Sequence, residues 1–140
     1  MSWDVIIFNL RGASPPSLEQ LRKEDFAPLG PADEVRRCIL SFLPCVDWSD
    51  PTWGLFGGDG FSIEFNVGKD EPIKHLMLHV HGGGDAISAI TTFARPLGWS
   101  ALDCSSGQFL DLDHPSKTGW EGFQAYRDQV IATYREEEAS

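Results

Sequence analysis

The sequence predicts a single α+β domain of the ferredoxin-like sandwich type, and three observations lead to this prediction. The chain has 140 residues, a length typical of one domain. Segments with the apolar alternation of strands and segments with the apolar periodicity of helices follow one another in the order β-α-β-β-β-α-β-β-α. That order contains β-α-β-β-α-β, the split pattern of ferredoxin-like folds, extended by an extra hairpin and a C-terminal helix.

The first strand and the first helix have clear sequence signatures. Residues 3–10, WDVIIFNL, are rich in β-branched and aromatic side chains and apolar on both faces, which predicts a strand in the middle of a sheet. Residues 30–44 are predicted as a helix, because Pro31 suits the first helical position and Pro44 would end it. The face of this helix predicted to be buried consists of Val35, Cys38, Ile39, Phe42 and Leu43.

Three further strands are predicted in the middle of the chain, after a loop at residues 46–51. Residues 52–56 and 61–67 flank GGDG as the strands of a hairpin would, and residues 73–81 follow as the next strand. Neighbouring side chains of a strand point to opposite faces. The apolar face of the second and third strands has Phe61, Ile63, Phe65, Val67, Leu76, Leu78 and Val80. The opposite face has Ser62, Glu64, Asn66, His75, Met77, His79 and His81.

The glycine-rich segment that follows predicts a turn and a second helix. Asp85 comes directly after three glycines and is placed to cap the helix, while Pro96 limits its length. The apolar side of this helix has Ile87, Ile90, Ala94 and Leu97. We expect the two helices, at residues 31–43 and 86–95, on the same side of an antiparallel-rich sheet.

The chain is predicted to end with a second hairpin and a third helix. Residues 99–104 and 108–112 flank the turn SSG. The last helix begins near Thr118, whose spacing from Glu121 fits a capping box. These elements would extend the sheet or cover part of its open face.

Composition excludes several classes of partner. The chain has 21 acidic and 11 basic residues, which gives a net charge of −10. Nucleic acids and anionic membranes both require positive charge on the protein, so neither is an expected partner. An acidic surface of this kind suits solubility, a basic protein partner, or both.

Cysteine number and the N-terminal sequence predict a cytoplasmic protein. The three cysteines are odd in number and show no CxxC spacing, so neither a disulfide framework nor a zinc finger is expected. The N-terminal apolar run has no basic segment before it and is too short for a signal peptide or a membrane span. No cofactor is predicted.

Three histidines at alternate spacing raise the question of a metal site. His79 and His81 share a strand face, and Glu64 on the neighbouring strand could add a carboxylate ligand. The alternative metal site would comprise His75, His79, His81 and Glu64. The more ordinary interpretation is a polar open face on which the histidines form hydrogen bonds, and no HExxH motif accompanies them.

Two further motifs resemble catalytic or anion-binding sites only in part. The glycines at residues 82–84 lead into a helix, and the backbone N–H groups of such a turn can bind an anion. Here the negatively charged Asp85 lies where the anion would bind, and no basic residue follows. We therefore interpret them as a tight turn capped by Asp85. The second hairpin turn contains Asp103, Cys104, Ser105 and Ser106. Because it lacks a GxSxG elbow, it is interpreted as a turn rich in small residues.

Acidic and aromatic residues together predict a partner-binding surface. Trp48 and Trp53 flank a short acidic loop, and aromatic side chains ringed by polar ones are common anchors at protein interfaces. The alternative is that both tryptophans cover the core. The polar face of the predicted sheet adds a second part to the surface. The residues predicted to bind a partner are Asp47, Trp48, Asp50, Trp53, Asp59, Glu64, Asn66 and His79.

Five stretches of the chain carry a family resemblance: VDWSDPTWG, SIEFNVG, LHVHGGGDAI, ALDCSSGQFLDL and GWEGFQAYRD. The chain resembles small acidic cytosolic bacterial proteins, among them the immunity proteins that neutralise interbacterial toxins. The resemblance implies a single-domain protein without catalytic residues that presents an acidic or aromatic surface to a basic toxin. It assigns no role to any particular residue.

The sequence thus predicts a non-enzymatic protein-binding protein, most specifically an immunity protein that neutralises a secreted toxin. One alternative is a small metal-dependent enzyme or metal-binding protein that uses His75, His79 and His81. A second alternative is a ligand-binding regulatory domain, a role that ferredoxin-like sandwiches often have. The oligomeric state is not predicted.

Overall fold

The computed structural model describes residues 2–11, 19 and 21–113, which form two α-helices, a one-turn 3-10 helix (Lys23–Asp25) and an eight-stranded sheet. The α-helices are α1 (Ala32–Phe42) and α2 (Ala86–Leu97), and neither is long and apolar enough to cross a membrane. The predicted C-terminal helix, with Thr118 and Glu121, lies outside the described residues. In chain order the strands are β1 (Trp3–Leu10), β2 (Phe26–Ala27), β3 (Asp47–Asp50), β4 (Trp53–Gly57), β5 (Phe61–Asn66), β6 (His75–Gly82), β7 (Ser100–Asp103) and β8 (Gln108–Phe109).

The sheet is open and antiparallel, with its strands in the order β3-β4-β5-β6-β1-β7-β8. The short β2 pairs with the end of β1, where Leu10 lies opposite Phe26. β1 lies between β6 and β7, so the predicted central position of residues 3–10 is confirmed. The hairpin predicted around GGDG is also confirmed, as β4 and β5. The α+β class follows from these pairings together with the two helices.

One face of the sheet is buried beneath both helices. Of the side chains predicted to share the apolar face of β5 and β6, Ile63, Phe65, Leu76, Leu78 and Val80 are buried and alternate with half-buried or exposed ones, which confirms the predicted faces, whereas Phe61 at the start of β5 is only half-buried. The buried ones form one hydrophobic cluster with buried residues of both helices, which therefore pack on the same side, as predicted. Each fully buried Leu, Ile or Phe contributes roughly 1.5–3 kcal/mol. The cluster includes Val35, Ile39, Ile63, Phe65, Leu76, Leu78, Val80, Ile87, Ile90 and Phe93.

The start of α1 differs from the prediction by one residue. Pro31 is the N-cap rather than the first helical residue. Proline has no side-chain acceptor to cap a helix, and the carboxylate of Glu71 takes this role from the segment before β6. Its two oxygens lie 3.2 and 3.3 Å from the backbone nitrogen of Ala32. The carboxylate also complements the positive end of the helix dipole.

The buried side of α1 is narrower than predicted. Val35, Ile39 and Leu43 are buried, whereas Cys38 is half-buried and Phe42 is 36% exposed. Residues four apart lie nearly above one another on a helix. Only this one line of side chains points fully into the core, so the expectation of a wider stripe that includes Phe42 is wrong.

Residues 46–51 contain an edge strand, so their prediction as a loop is wrong. β3 pairs with β4, where Asp47 lies opposite Leu55 and Asp50 lies opposite Trp53. The two aspartates are three positions apart but their partners are only two apart, and β3 therefore carries a bulge. Aspartate and serine are depleted in strands and common in turns, which hid this strand in the sequence.

The second hairpin is confirmed but shorter than predicted. β7 pairs with β8, with Leu102 opposite Phe109. The carboxylate of Asp103 is buried and accepts hydrogen bonds from Nε1 of Trp3 at 3.0 Å and from the backbone N–H of Ser105 at 2.9 Å. Asp103 therefore anchors the turn to the core, consistent with the interpretation of this segment as a structural turn.

Candidate functional site

The face of the sheet opposite the helices, called the open face below, carries most of the predicted partner-binding residues. Residues directly opposite each other in antiparallel strands point to the same face, so the side chains lie in rows across the sheet. Leu55 is 48% exposed, and the other members of the two central rows are half-buried. One row is Leu55, Glu64, His79 and Asp4, and the next is Trp53, Asn66, Met77 and Ile6.

His79 lies at the centre of a hydrogen-bonded and stacked group. Its Nδ1 is 2.8 Å from Oδ1 of Asp4 on the neighbouring strand β1. The same oxygen accepts a hydrogen bond from the hydroxyl of Ser2 at 2.6 Å. The indole of Trp53 stacks on the imidazole, with ring centroids 5.5 Å apart and planes 17° apart. Asp4 thus fixes the imidazole, and the imidazole supports one face of the Trp53 ring.

The histidines are spread along the strand rather than gathered at one point. Among residues 2–11, 19 and 21–113, no group of three or more His, Cys, Asp or Glu side chains is arranged to hold a metal ion. Nε2 of His81 lies 3.6 Å from Oε2 of Glu64. His75 is four residues from His79, which corresponds to about 13 Å along an extended strand. Metal–nitrogen bonds are about 2 Å long, so these two histidines cannot share one ion.

Asp47 and Asp50 each close a local turn on the edge strand. Oδ1 of Asp47 accepts hydrogen bonds from the hydroxyl and the backbone N–H of Ser49, at 2.6 and 2.8 Å. Oδ1 of Asp50 does the same with Thr52, at 2.8 and 2.9 Å. These bonds favour the charged form and lower the pKa of both carboxyls below the usual 3.8. The bulge and the charged side chains of this short edge strand also disfavour its pairing with another strand.

Two of the predicted partner-binding residues lie away from the open-face rows. Trp48 points to the core side, where its ring centroid is 6.0 Å from that of Phe65 and a side chain at Gly54 would collide with it. Trp48 and Trp53 flank the acidic segment as predicted, but they occupy adjacent strands and point to opposite faces, so the two rings do not share one surface. Asp59 is exposed in the turn between β4 and β5.

The glycine turn after β6 packs against the turn between β4 and β5. Gly83 and Gly84 donate their backbone N–H groups to the carbonyl oxygen of Gly60, at 2.7 and 3.0 Å. Asp85 caps α2 by accepting a hydrogen bond from the backbone N–H of Ser88 at 3.2 Å. The predicted tight turn with an Asp85 cap is confirmed, and two of its amides are used within the protein.

The chain matches no protein-family model, no curated protein and no solved structure. A function therefore has to be derived from the chemistry of its own surface. Within the described parts of the chain, no strand contains a lysine or an arginine, so the basic side chains there belong to helices and loops. The open face thus joins carboxylates, histidines, an indole and an exposed leucine.

Two residues of this face were not predicted from the sequence. Asp4 lies between the buried Trp3 and Val5, and the signal in the sequence was the one charged residue of a mostly apolar strand. Leu55 directly follows Gly54 in β4 and is the most exposed large apolar side chain of the described residues. The sequence predicts that Leu55 shares a strand face with Trp53, because the two are two positions apart. Its exposure could not be predicted, because it depends on which strands flank β4.

Proposed function

We propose that the protein is a non-enzymatic binding protein for a basic protein partner, most specifically a cytoplasmic immunity protein that neutralises a bacterial toxin. The observation that carries the proposal is the distribution of charge on the open face. The described strands lack lysine and arginine, while Asp4, Asp47, Asp50 and Glu64 contribute carboxylates there. The whole chain, these carboxylates included, has a net charge of −10. Such a surface attracts a basic partner and accelerates its association.

Apolar side chains lie among these charges and supply a centre for an interface. Trp53 is half-buried and held against His79, and Leu55 is 48% exposed two positions further along β4. Protein interfaces commonly combine aromatic or apolar anchors with a charged rim. An indole held in place among carboxylates supports protein binding better than a general need for solubility, which requires no aromatic side chain on this face.

Within this proposal the fold is a ferredoxin-like sandwich. The support for it is the order of the four central strands, β7-β1-β6-β5, with both helices on one side. These are the fourth, first, third and second strands of the pattern β-α-β-β-α-β. In this interpretation β3, β4 and β8 are additions at the two edges of the sheet, and the short β2 is an addition at the end of β1.

Co-expression with a toxin tests the proposed function. If the gene next to this one encodes a secreted toxin, the toxin domain is produced in a host whose growth it stops, with and without this chain. We expect the chain to restore growth and to co-purify with the toxin domain. A chain that neither restores growth nor binds the toxin domain would contradict the proposal.

Two variants separate the role of the anchor from that of charge. Trp53→Ala should raise the dissociation rate and cost about 2 kcal/mol of binding free energy. Asp47→Asn keeps the oxygen that accepts the Ser49 hydrogen bonds but removes the charge, so it should lower the association rate, and more so at low salt. Glu34→Gln, at an exposed position of α1 behind the sheet, is the matched control. Equal effects of Asp47→Asn and Glu34→Gln would mean that the partner uses another surface.

A further inference from the structure

The part of the open face formed by β4, β5 and β6 places an indole, an exposed leucine and a carboxylate in adjacent rows. We call it the hairpin face, and it consists of Trp53, Leu55, Glu64, Asn66 and His79. Leu55 lies directly opposite Glu64, and Trp53 lies directly opposite Asn66. Directly opposed Cβ atoms are about 5 Å apart and diagonal neighbours about 7 Å apart. One long side chain of a partner can therefore contact the indole, the leucine and the carboxylate together.

The indole of Trp53 is held in place before a partner arrives. One of its faces is stacked on His79, which is itself held by Asp4 at 2.8 Å. A partner can therefore reach only the opposite face of the ring and its edge. A side chain that is fixed in this way loses little conformational freedom on binding, and less binding free energy is spent on ordering it.

We infer that the hairpin face binds an arginine side chain of the basic partner, with the guanidinium stacked on Trp53 and hydrogen-bonded to Glu64. The inference rests on the proposed function and names the residue type that the partner presents. A guanidinium is planar, stacks on aromatic rings and fits a carboxylate with paired N–H groups. Leu55 offers apolar surface to the methylene stem of the arginine.

Lysine is the competing occupant, and the same geometry disfavours it. An ammonium group is a compact, strongly hydrated point charge without a plane that can stack. A surface that offered only carboxylates would prefer arginine less strongly, through the paired N–H groups of the guanidinium alone. The indole beside Glu64 is the feature that distinguishes them. The described strands contain no lysine or arginine, and the side chain that they place beside this carboxylate is His81, whose Nε2 lies 3.6 Å from Oε2 of Glu64.

Two labelled peptides of equal length and charge test the inference. One alternates arginine with glycine and the other alternates lysine with glycine, and the dissociation constant of each is measured by fluorescence anisotropy. We expect the arginine peptide to bind about fivefold more tightly, the equivalent of ~1 kcal/mol. Trp53→Leu should reduce this preference, because only the paired hydrogen bonds to Glu64 would then favour arginine. Glu64→Gln should weaken binding of the arginine peptide more than the control Glu34→Gln.

Each other outcome overturns the inference in a recognisable way. Equal binding of both peptides by the wild-type protein would refute arginine recognition while leaving an acidic binding surface, and with it the proposed function, intact. Binding of neither peptide would refute the arginine site, and co-expression with the toxin domain would then decide the proposed function separately. If light scattering shows a dimer that Leu55→Asp dissociates, a second copy of the chain covers the hairpin face. Should Trp53→Leu lower the melting temperature, Trp53→Phe keeps a ring and should retain part of the preference.

Discussion

Replacing Gly84 by alanine should destabilise the protein, because the turn between β4 and β5 leaves no space for a side chain there. A Cβ at this position would lie 2.1 Å from the carbonyl oxygen of Asp59 and 2.8 Å from Cδ1 of Phe61. Ordinary van der Waals contact begins at 3.4 Å, so the carbonyl would have to move by about 1.3 Å. The obstacle is backbone, which cannot rotate away as a side chain can.

The magnitude follows from the hydrogen bonds that such a movement breaks. Gly83 and Gly84 donate to the carbonyl oxygen of Gly60, which belongs to the turn that must move. Each bond contributes about 1 kcal/mol, so we expect Gly84→Ala to lower the free energy of unfolding by about 2 kcal/mol. For a domain of this size that corresponds to a fall in melting temperature of roughly 6 °C. Gly82→Ala should cost more, because its φ of +98° adds strain of about 1–3 kcal/mol for a residue with a side chain.

Thermal and urea unfolding of matched variants measure these effects. Gly57→Ala is the control, since a Cβ at Gly57 has nothing within 4 Å and its φ is not positive. Alanine has less conformational freedom than glycine in the unfolded chain, which raises the free energy of unfolding by about 0.4–1 kcal/mol. Gly57→Ala should therefore be as stable as the wild type or slightly more stable. The difference between Gly84→Ala and Gly57→Ala isolates the collision.

Two results would refute this reasoning. If Gly84→Ala unfolds at the same urea concentration as Gly57→Ala, the two turns do not pack as closely as described. The second result is that phosphate raises the melting temperature of the wild type and that Gly84→Ala abolishes this effect. The amides of Gly83 and Gly84 would then bind an anion and would not donate to the carbonyl oxygen of Gly60.

Two further predictions concern ionisable groups. Hydrogen bonds from the hydroxyl and amide of Thr52 lower the pKa of Asp50, so its stabilising contribution is complete above the usual pKa and is lost as pH falls below about 4. Asp50→Asn should therefore show a smaller loss of melting temperature on acidification than the wild type. Partial burial of the thiol, with the negative charges of Asp4 and Asp103, raises the pKa of Cys104, although the residue as a whole is exposed. We expect iodoacetamide to alkylate Cys104 more slowly than free cysteine at pH 8, and mass spectrometry showing equal rates would contradict this.

Strand faces could be predicted from the sequence wherever polar and apolar residues alternate strictly. In β6, Leu76, Leu78 and Val80 are buried while His79 points to the open face, because a strand repeats every two residues whatever its neighbours are. The geometry of a strand also shows that His75 and His79 are too far apart to bind the same metal ion. The rise per residue along a strand separates His75 from His79 by about 13 Å, and this distance follows from their spacing in the sequence alone.

Contacts between distant parts of the chain could not be predicted in the same way. The hydrogen bond between His79 and Asp4 joins residues 75 positions apart, and it depends on the pairing of β6 with β1. The capping of α1 by Glu71 likewise joins two segments that the sequence does not link. Local patterns fix which face a side chain takes, whereas its partner depends on strand order, which no local pattern contains.

The bulge in β3 determines which of the two tryptophans, Trp48 or Trp53, lies on the open face. Simple alternation would put Asp47 and Asp50, three positions apart, on opposite faces, but the bulge places both opposite open-face residues of β4. Trp48, next to Asp47, therefore points to the core, and only Trp53 of this pair remains on the open face. From the sequence the two tryptophans are equivalent candidates for an anchor. One extra residue in an edge strand makes Trp48 part of the core, where its replacement would test stability, and leaves Trp53 as the residue whose replacement can test binding.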